Sequence, residues 1–440
     1  MELNELKALL REMGIVGAGG AGFPSYAKLS DSADTIIMNC AECEPLLKVH
    51  RQVLSEYTCE ILSALEAVVQ ATGAKQGIIA VKAHYRSTVA ALESEISEYP
   101  NLSVCKLRSV YPTGDELILI KEVTGRTVQP GKLPISVGVT VLNTETVYNI
   151  YRAMKGKPVT HKFVTVAGEV ARPLTLYVPI GTKVSYLVNA AGGKTVEDAA
   201  YISGGPMMGR VISESDVITK TTNAIIVLPS DHTVILNKSR NPSTNLRRAM
   251  SVCCQCRSCT ELCSRHLLGY PVEPHTVMRV LSSGGKGNTS ALAGSMFCSG
   301  CGLCESYSCP QGLSPKTMIA ALKAEARANG TKPPENIQAS TSIPDAALKK
   351  VSVERLIMRL GLKKYNVPAP MGDTLSSSSV KIPLSQHIGA PAVATVAQGD
   401  TVKVGDVIAY ATDGALSVNI HSSIDGVVES VTQKYIKITK

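Results

Sequence analysis

The chain has no tryptophan and three phenylalanines, and its aromatic residues make up 4% of 440 positions. Proteins that read nucleic acid concentrate basic charge and place aromatic rings for stacking. Here a net charge of +9 is spread without a dense Lys/Arg block, which argues against nucleic acid. A positive surface suits anionic cofactors or an acidic partner equally well. No apolar run approaches the roughly 18 residues that cross a bilayer, so no transmembrane segment is expected. Charges at Glu2, Glu5, Lys7, Arg11 and Glu12 interrupt the N-terminal stretch, unlike a secretory leader. The cytoplasm is the expected compartment. No acid–base triad stands out either, so no catalytic side chain is assigned.

What is abundant is cysteine: thirteen residues, nine of them between Cys253 and Cys309. In a cytosolic chain such clustering favours metal over disulfides. SVCCQCRSCTELCSR places Cys253, Cys256, Cys259 and Cys263 at C-x2-C-x2-C-x3-C. MFCSGCGLCESYSCPQG places Cys298, Cys301, Cys304 and Cys309 at C-x2-C-x2-C-x4-C, followed by Pro310. Three thiolates at this spacing wrap three corners of one iron–sulfur cube, and the fourth closes the neighbouring cube. The spacing therefore predicts two [4Fe–4S] clusters, one on Cys253, Cys256, Cys259 and Cys309, the other on Cys298, Cys301, Cys304 and Cys263. Zinc modules usually pair C-x2-C with a second pair, and fit less well. Cys254 reads as a non-ligating neighbour, and Cys59 and Cys105 as small core residues.

GIVGAGGAGFP (14–24) holds five glycines in nine positions. Gly17, Gly19 and Gly22 satisfy G-x-G-x-x-G, but a Rossmann fingerprint needs a strand before the glycines and a helix opening at them. Here Leu3, Leu6, Leu9, Leu10 and Met13 precede the loop at helical spacing, and Pro24 follows it. A different nucleotide site or a flexible linker both remain open on this stretch alone.

At this length three or four domains are expected. TIIMNC (35–40), QGIIAVK (76–82) and LSVCKLR (102–108) read as strands. One long helix over 46–72 and helices near 86–98, 115–124 and 143–154 complete an α/β domain over 1–156. Residues 157–240 are β-rich and suggest a β-grasp module, with KFVTVAGEV, TLYVPIGTKV and AIIVLPSDHTVIL as its strands. Residues 241–330 read as an α-helical two-cluster segment, interrupted by a flexible excursion at 282–294. Residues 331–379 read as a linker with one short amphipathic helix. Short strands over 380–440 suggest a barrel sandwich of lipoyl type, but the hairpin TDGALS has no lysine at its tip, so a docking or structural role is expected.

GAGGAGFPSYAKL, NCAECEP (39–45), YPTGDE (111–116) and LNTETVYNIYRAM (142–154) occur in one order. That order resembles the family containing the flavoprotein subunit of respiratory NADH dehydrogenase and the C subunit of the Rnf electron-transport complex. The resemblance covers nearly the whole chain. It implies a multidomain α/β protein with a Rossmann-like FMN/NADH domain, an SLBB-type β-grasp module, a two-cluster ferredoxin domain and a barrel sandwich. It places Gly17, Gly19, Gly20 and Gly22 against FMN, with Lys28 at the phosphate or ring edge. Asn39, Glu42 and Glu44 would bond the ribityl chain and ring, Tyr111, Gly114 and Glu116 would form the next wall, and Asn143 and Thr146 would lie near the phosphate. Phe23 and Glu116 would touch NADH. Lys28 taken alone reads as solvated, and Asn143 with Thr146 as a helix cap. Ala41 replaces an Asp of the respiratory branch, and Cys43, placed by the resemblance close to the flavin ring, reads as a packing residue.

In the Rnf subunit the barrel sandwich is N-terminal; here it is C-terminal, an order resembling the cobalamin reductases of propanediol-utilisation microcompartments. That resemblance implies NADH-dependent reduction of cobalamin, an adenosyltransferase partner, shell proteins and a microcompartment location. No D-x-H-x-x-G corrinoid motif is present, and His387 and His421 read as turn residues rather than cobalt ligands. The alternatives are a peripheral Rnf-type subunit and a non-enzymatic Fe–S relay.

Overall fold

A computed structural model describes residues 1–284, 289–340, 343 and 345–440. The N-terminal helix α1 (Leu3–Glu12) buries Leu6 and Leu10 in the main core, so its apolar stripe is taken up by packing. The chain then forms β1 (Thr35–Cys40), α2 (Val49–Glu56), α3 (Thr58–Thr72), β2 (Gln76–Lys82), α4 (Arg86–Glu95), β3 (Leu102–Leu107), β4 (Val110–Tyr111), α5 (Glu116–Thr124), β5 (Val139–Asn143) and α6 (Thr144–Met154). The single helix expected over 46–72 is two, broken at Tyr57 (φ −121°, ψ 42°). The break lets the Tyr57 ring meet Tyr148 at 4.5 Å between centroids, a contact that periodicity does not report.

Strands β3, β2, β1 and β5 form a parallel sheet in that order. The near-continuous burial of β1, β2 and β5 follows from cover on both faces, while β3, at the sheet edge, leaves Ser103 and Lys106 exposed. Between β1 and β5 the direction of winding reverses, and in open α/β sheets ligands bind beyond the carboxyl ends of the strands at such a point. Asn39 and Asn143 face each other across the end of this pair.

The next module contains β6 (His161–Gly168), β7 (Leu174–Pro179), α7 (Val184–Ala190), β8 (Ala199–Ser203), β9 (Arg210–Ile212) and β10 (Ala224–Pro229). It ends in α8 (Thr233–Ser239), so HTVIL is helical rather than strand, started where the His232 ring accepts the Val234 N–H at 3.2 Å. The supposed linker is built into other modules. Val351–Ser352 pairs with β4, and Met371–Thr374 adds an edge strand to β7. The short helix Val353–Arg359 lies between them. Of the expected excursion at 282–294, residues 285–288 lie outside the described set and Thr289–Gly294 is a short helix. The C-terminal strands form a four-stranded and a three-stranded antiparallel sheet.

Glu169, just after β6, ties the module to the former linker. Its carboxylate accepts from Lys364 at 2.8 Å, Tyr365 at 2.6 Å and Thr195 at 2.8 Å. The hydrogen bonds from Lys364 and Tyr365 hold its pKa down at about 2, below the ordinary 4.5. A carboxylate depressed on folding contributes stability that is present above its unfolded pKa and lost as pH falls through its folded one. Glu169→Gln is therefore expected to flatten the acid limb of the urea midpoint between about pH 4.5 and 2. An acid limb as steep as the wild type would count against this tie.

Candidate flavin and iron–sulfur site

The glycine loop is closed by its own backbone. Gly17 N–H donates to Phe23 O at 2.9 Å, Gly22 N–H to Gly19 O at 3.2 Å, and Val16 bridges Pro24. Gly20 and Gly22 adopt φ of +60° and +65°, where a side chain is strained. Thr146 Oγ accepts the Ala18 N–H at 2.9 Å, which pins the loop to the start of α6. The other side of the loop is crowded. A Cβ at Gly19 would meet the Asn223 amide at 2.6 Å, and one at Gly22 would meet Thr221 at 2.7 Å and His387 at 3.2 Å. Ile388 N–H donates to Ala21 O at 2.8 Å. The loop is thus a fixed junction of three modules, not a flexible linker.

At the sheet's switch point, Asn39 donates to Gly114 O at 2.9 Å and accepts the Ala41 N–H at 3.0 Å. Asn143 caps α6 through the Glu145 N–H at 2.9 Å and touches the His50 ring at 3.0 Å. Lys28 pairs with Glu116 at 2.7 Å, bringing together two residues read separately from the sequence. Gly114 has no room for a side chain, since a Cβ there would lie 2.5 Å from Ala41 O and 3.1 Å from Cys43 Sγ. Burial pushes the Cys43 thiol up to about 12, so it packs as a neutral group.

Glu44 is engaged by the β-grasp module. Both its oxygens are taken by backbone N–H groups, Met207 at 2.9 Å and Met208 at 2.8 Å. These bonds tie the β1 loop to the β-grasp module. Glu42 keeps an open acceptor: Oε1 takes the His50 N–H at 3.2 Å, while buried Oε2 has no partner. Buried polar atoms without partners are rare and costly. With the positive-φ loop and the amides at the switch point, this acceptor fits a polyhydroxylated cofactor such as FMN.

The cysteines gather as the spacing predicts. Cys253, Cys256, Cys259 and Cys309 line one cavity, with Cys254 beside them and exposed. Burial first, then the thiols of Cys309, Cys256 and Cys253, push Cys259 up to about 12. Around the second set, burial, the Glu305 carboxylate and then the thiols of Cys298, Cys301 and Cys263 push Cys304 well above its ordinary value. Among the described residues no three His, Cys, Asp or Glu converge on a single-ion site. Each set brings four thiolates, the donor set that a [4Fe–4S] cluster takes.

The two triplets wrap alike. Gln255 (φ +53°) and Arg257 (φ +66°) occupy the left-handed region in the first, and Gly300 (φ +72°) and Gly302 (φ +83°) at matching places in the second. Cys259 and Cys263 span a single α-turn, whereas Cys304–Ser308 is a π-turn leading to Cys309. The wider turn accounts for x4 against x3. Since Arg257 holds a strained backbone angle while its Glu261 pair is exposed, Arg257→Gly is expected to stabilise the cluster segment by about 1 kcal/mol. A raised urea midpoint would show it, and a lowered one would contradict it.

Three residues join this segment to the flavin wall, and sequence reading missed two. Tyr111 OH donates to Cys301 O at 2.6 Å. Arg265 clasps Asp115 through two bonds of 2.7 and 2.9 Å. Asp115 was legible as an N-cap before ELILIKE, which it is; its arginine partner carries no local signal. The second set therefore stands next to the flavin wall, and the first lies nearer solvent. Cys59 is not a core residue: it is exposed and faces the Glu95 carboxylate, while Cys105 is half-buried. His387 and His421 stand at the glycine-loop junction, where burial pulls His421 down to about 3.

Comparison with known proteins matches this division. Residues 10–152 match the Nuo51 FMN-binding domain, 163–211 the SLBB domain, 252–314 the 4Fe-4S dicluster domain and 359–440 the RnfC barrel sandwich hybrid domain. The chain is 41% identical over 443 residues to the cobalamin reductase PduS of Salmonella typhimurium, covering 100% of this chain and 97% of that one. Over 274 residues it is 31% identical to the C subunit of the Na(+)-translocating ferredoxin:NAD(+) oxidoreductase complex of Acetobacterium woodii, covering 61% and 59% of the two chains. An NAD+-reducing [NiFe]-hydrogenase structure shares the fold at a TM-score of 0.51 and 20% identity, over 76% of this chain and 64% of that one. The chain has an FMN-binding domain and a [4Fe–4S] dicluster domain, and no described helix is long and apolar enough to cross a membrane. With 41% identity over its full length, the chain belongs to the family of the cobalamin reductase PduS.

Proposed function

We propose that the protein is an NADH-dependent cobalamin reductase, taking cob(III)alamin to cob(II)alamin and toward cob(I)alamin for regeneration of the B12 coenzyme. The overall first step balances as NADH plus two cob(III)alamin giving NAD+, a proton and two cob(II)alamin. The observation that carries the reading is the Tyr111–Cys301 bond at 2.6 Å, which joins the FMN-binding domain to the dicluster domain. Bound FMN exchanges an electron pair with NADH and single electrons with [4Fe–4S] clusters, which makes it the natural intermediary between them.

The chain's own residues bind and position. Gly17, Gly19, Gly20 and Gly22 present backbone to the cofactor. Lys28 offers the positive charge for phosphate or ring edge, Asn39 and Glu42 accept or donate along the ribityl chain, and Asn143 and Thr146 hold the loop at the phosphate end. Tyr111 and Gly114 keep the wall thin between this pocket and Cys301. Phe23 and Glu116 line the approach for NADH. Asp115 and Arg265 keep the second cysteine set at fixed distance from that wall. Cys298, Cys301, Cys304 and Cys263 hold one cluster, and Cys253, Cys256, Cys259 and Cys309 the other. We assign the modules to 1–156, 157–240, 241–330 and 380–440, and the protein to a microcompartment with an adenosyltransferase and shell proteins as partners.

The test is anaerobic titration of membrane-free protein with NADH, followed by absorbance and EPR. Bleaching of a yellow chromophore, reduction of two [4Fe–4S] centres and formation of cob(II)alamin are expected. Reduced clusters without cob(II)alamin would favour the Rnf-type reading, and a brown protein with cluster absorption but no bleachable flavin the simple relay.

A further inference from the structure

A cavity of about 420 Å3 lies between the flavin wall, the second cysteine set and the segment ending at Val351. This is the size of a small-molecule site. Tyr111 lines it with the ring whose hydroxyl bonds Cys301 O. Ser264 lines it too, with its hydroxyl 3.5 Å from Cys301 Sγ. Leu303, between Cys301 and Cys304 in the chain, supplies another wall. An occupant is therefore one residue away from the thiols of the second set. Ile118, Leu267 and Val351 make the remaining lining largely apolar.

The charges at the rim are selective. Lys349 is paired with Glu261 and Lys350 with Glu122. Lys121 has a neutral partner instead, the Gly125 carbonyl at 2.9 Å. The rim is thus set for one anionic group beside an apolar body. A cobalamin offers both: methyl groups among the amides of its corrin rim and a single phosphodiester in its nucleotide loop.

We propose that this cavity seats the corrinoid, with a corrin edge against the apolar lining and the phosphodiester on Lys121. The proposal rests on the cobalamin-reductase reading and adds the place of contact. The cavity is smaller than a whole corrinoid, so the amide-fringed remainder stays at the mouth. Each cob(III)alamin seated there takes one electron originating from NADH and releases its upper water ligand.

The test measures equilibrium dialysis of the cofactor-loaded full chain with hydroxocobalamin and with cobinamide, which lacks the phosphodiester, alongside NADH-dependent reduction of ferricyanide and of cobalamin. Lys121→Met is expected to weaken hydroxocobalamin about tenfold and leave cobinamide unchanged. Ala346→Trp, at the mouth, is expected to weaken both about tenfold. Ferricyanide reduction stays at the wild-type rate in both variants, which shows an intact fold and cofactor content. Met250→Glu, on the exposed helix end before Cys253, leaves both corrinoids unchanged. Unaltered binding in both cavity variants, equal losses of both corrinoids in Lys121→Met, or weakened binding in Met250→Glu would each overturn the seat. If the wild type binds corrinoid through these residues but NADH leaves it oxidised, the seat stands and the reductase reading falls. If the cavity variants bind and reduce as the wild type does, the reverse holds.

Discussion

Cys309→Ser is expected to remove the cluster held by Cys253, Cys256 and Cys259 and to spare the one whose ligands stand beside it in sequence. Cys309 lines the cavity of the first set, because the π-turn after Cys304 carries the chain across from one set to the other. Iron is expected to fall from about eight to about four per chain. The surviving cluster is next to the flavin wall, so NADH still reduces it. Cys263→Ser gives the converse: Cys263 belongs with Cys301 and Cys298, and its loss takes the cluster nearest the flavin. The remaining cluster keeps its iron but loses its short connection, and its reduction by NADH is expected to slow by at least about a hundredfold, some 2.7 kcal/mol of barrier. Iron assay, EPR and stopped-flow reduction separate the two variants. If Cys309→Ser instead lost the Cys298 set, the crossed pairing would be wrong.

Lys162→Met is expected to cost about 3–5 kcal/mol of stability. The Lys162 ammonium pairs with Glu145 where both side chains are 1% exposed. It also donates to Asn223 Oδ1 at 2.7 Å, and Glu145 accepts the Phe163 N–H at 3.1 Å. Burial pulls the Lys162 pKa down while Glu145 opposes it. Removing the ammonium leaves a buried carboxylate without its counter-charge, and that uncompensated charge is the source of the cost. The double variant Lys162→Met, Glu145→Gln removes the charge as well and is expected to recover most of the loss. Urea unfolding at neutral pH measures both. An unchanged midpoint in the single variant, or a double variant no better than the single, would contradict the account. Because Glu145 lies between Asn143 and Thr146, and Asn223 against the glycine loop, the single variant is also expected to release FMN on gel filtration.

The sequence-based reading was reliable where one short segment carries the whole signal. TIIMNC and QGIIAVK are strands over the same residues in the fold, since a strand buried on both faces must be apolar throughout. The cysteine triplets declare themselves because a chain wrapping a cube must return at close, regular intervals. The break at Tyr57 was not legible, because both halves carry helical periodicity and a distant ring, Tyr148, decides where the chain bends. The bonds of Glu44 to the Met207 and Met208 N–H groups were not legible for a related reason: both partners lie far along the chain from NCAECEP.

Local order in the chain thus determined the strands that carry Asn39 and Asn143 and the two cysteine triplets. Tertiary structure alone decided that the second cysteine set adjoins the FMN-binding domain, through Tyr111, Asp115 and Arg265, and that a cavity opens between them. The division has a physical cause. Hydrophobic periodicity and ligand spacing act over a few residues and leave a trace in every segment. A bond between residues 150 or more positions apart exists only once separate modules have packed, and neither partner's neighbours announce it.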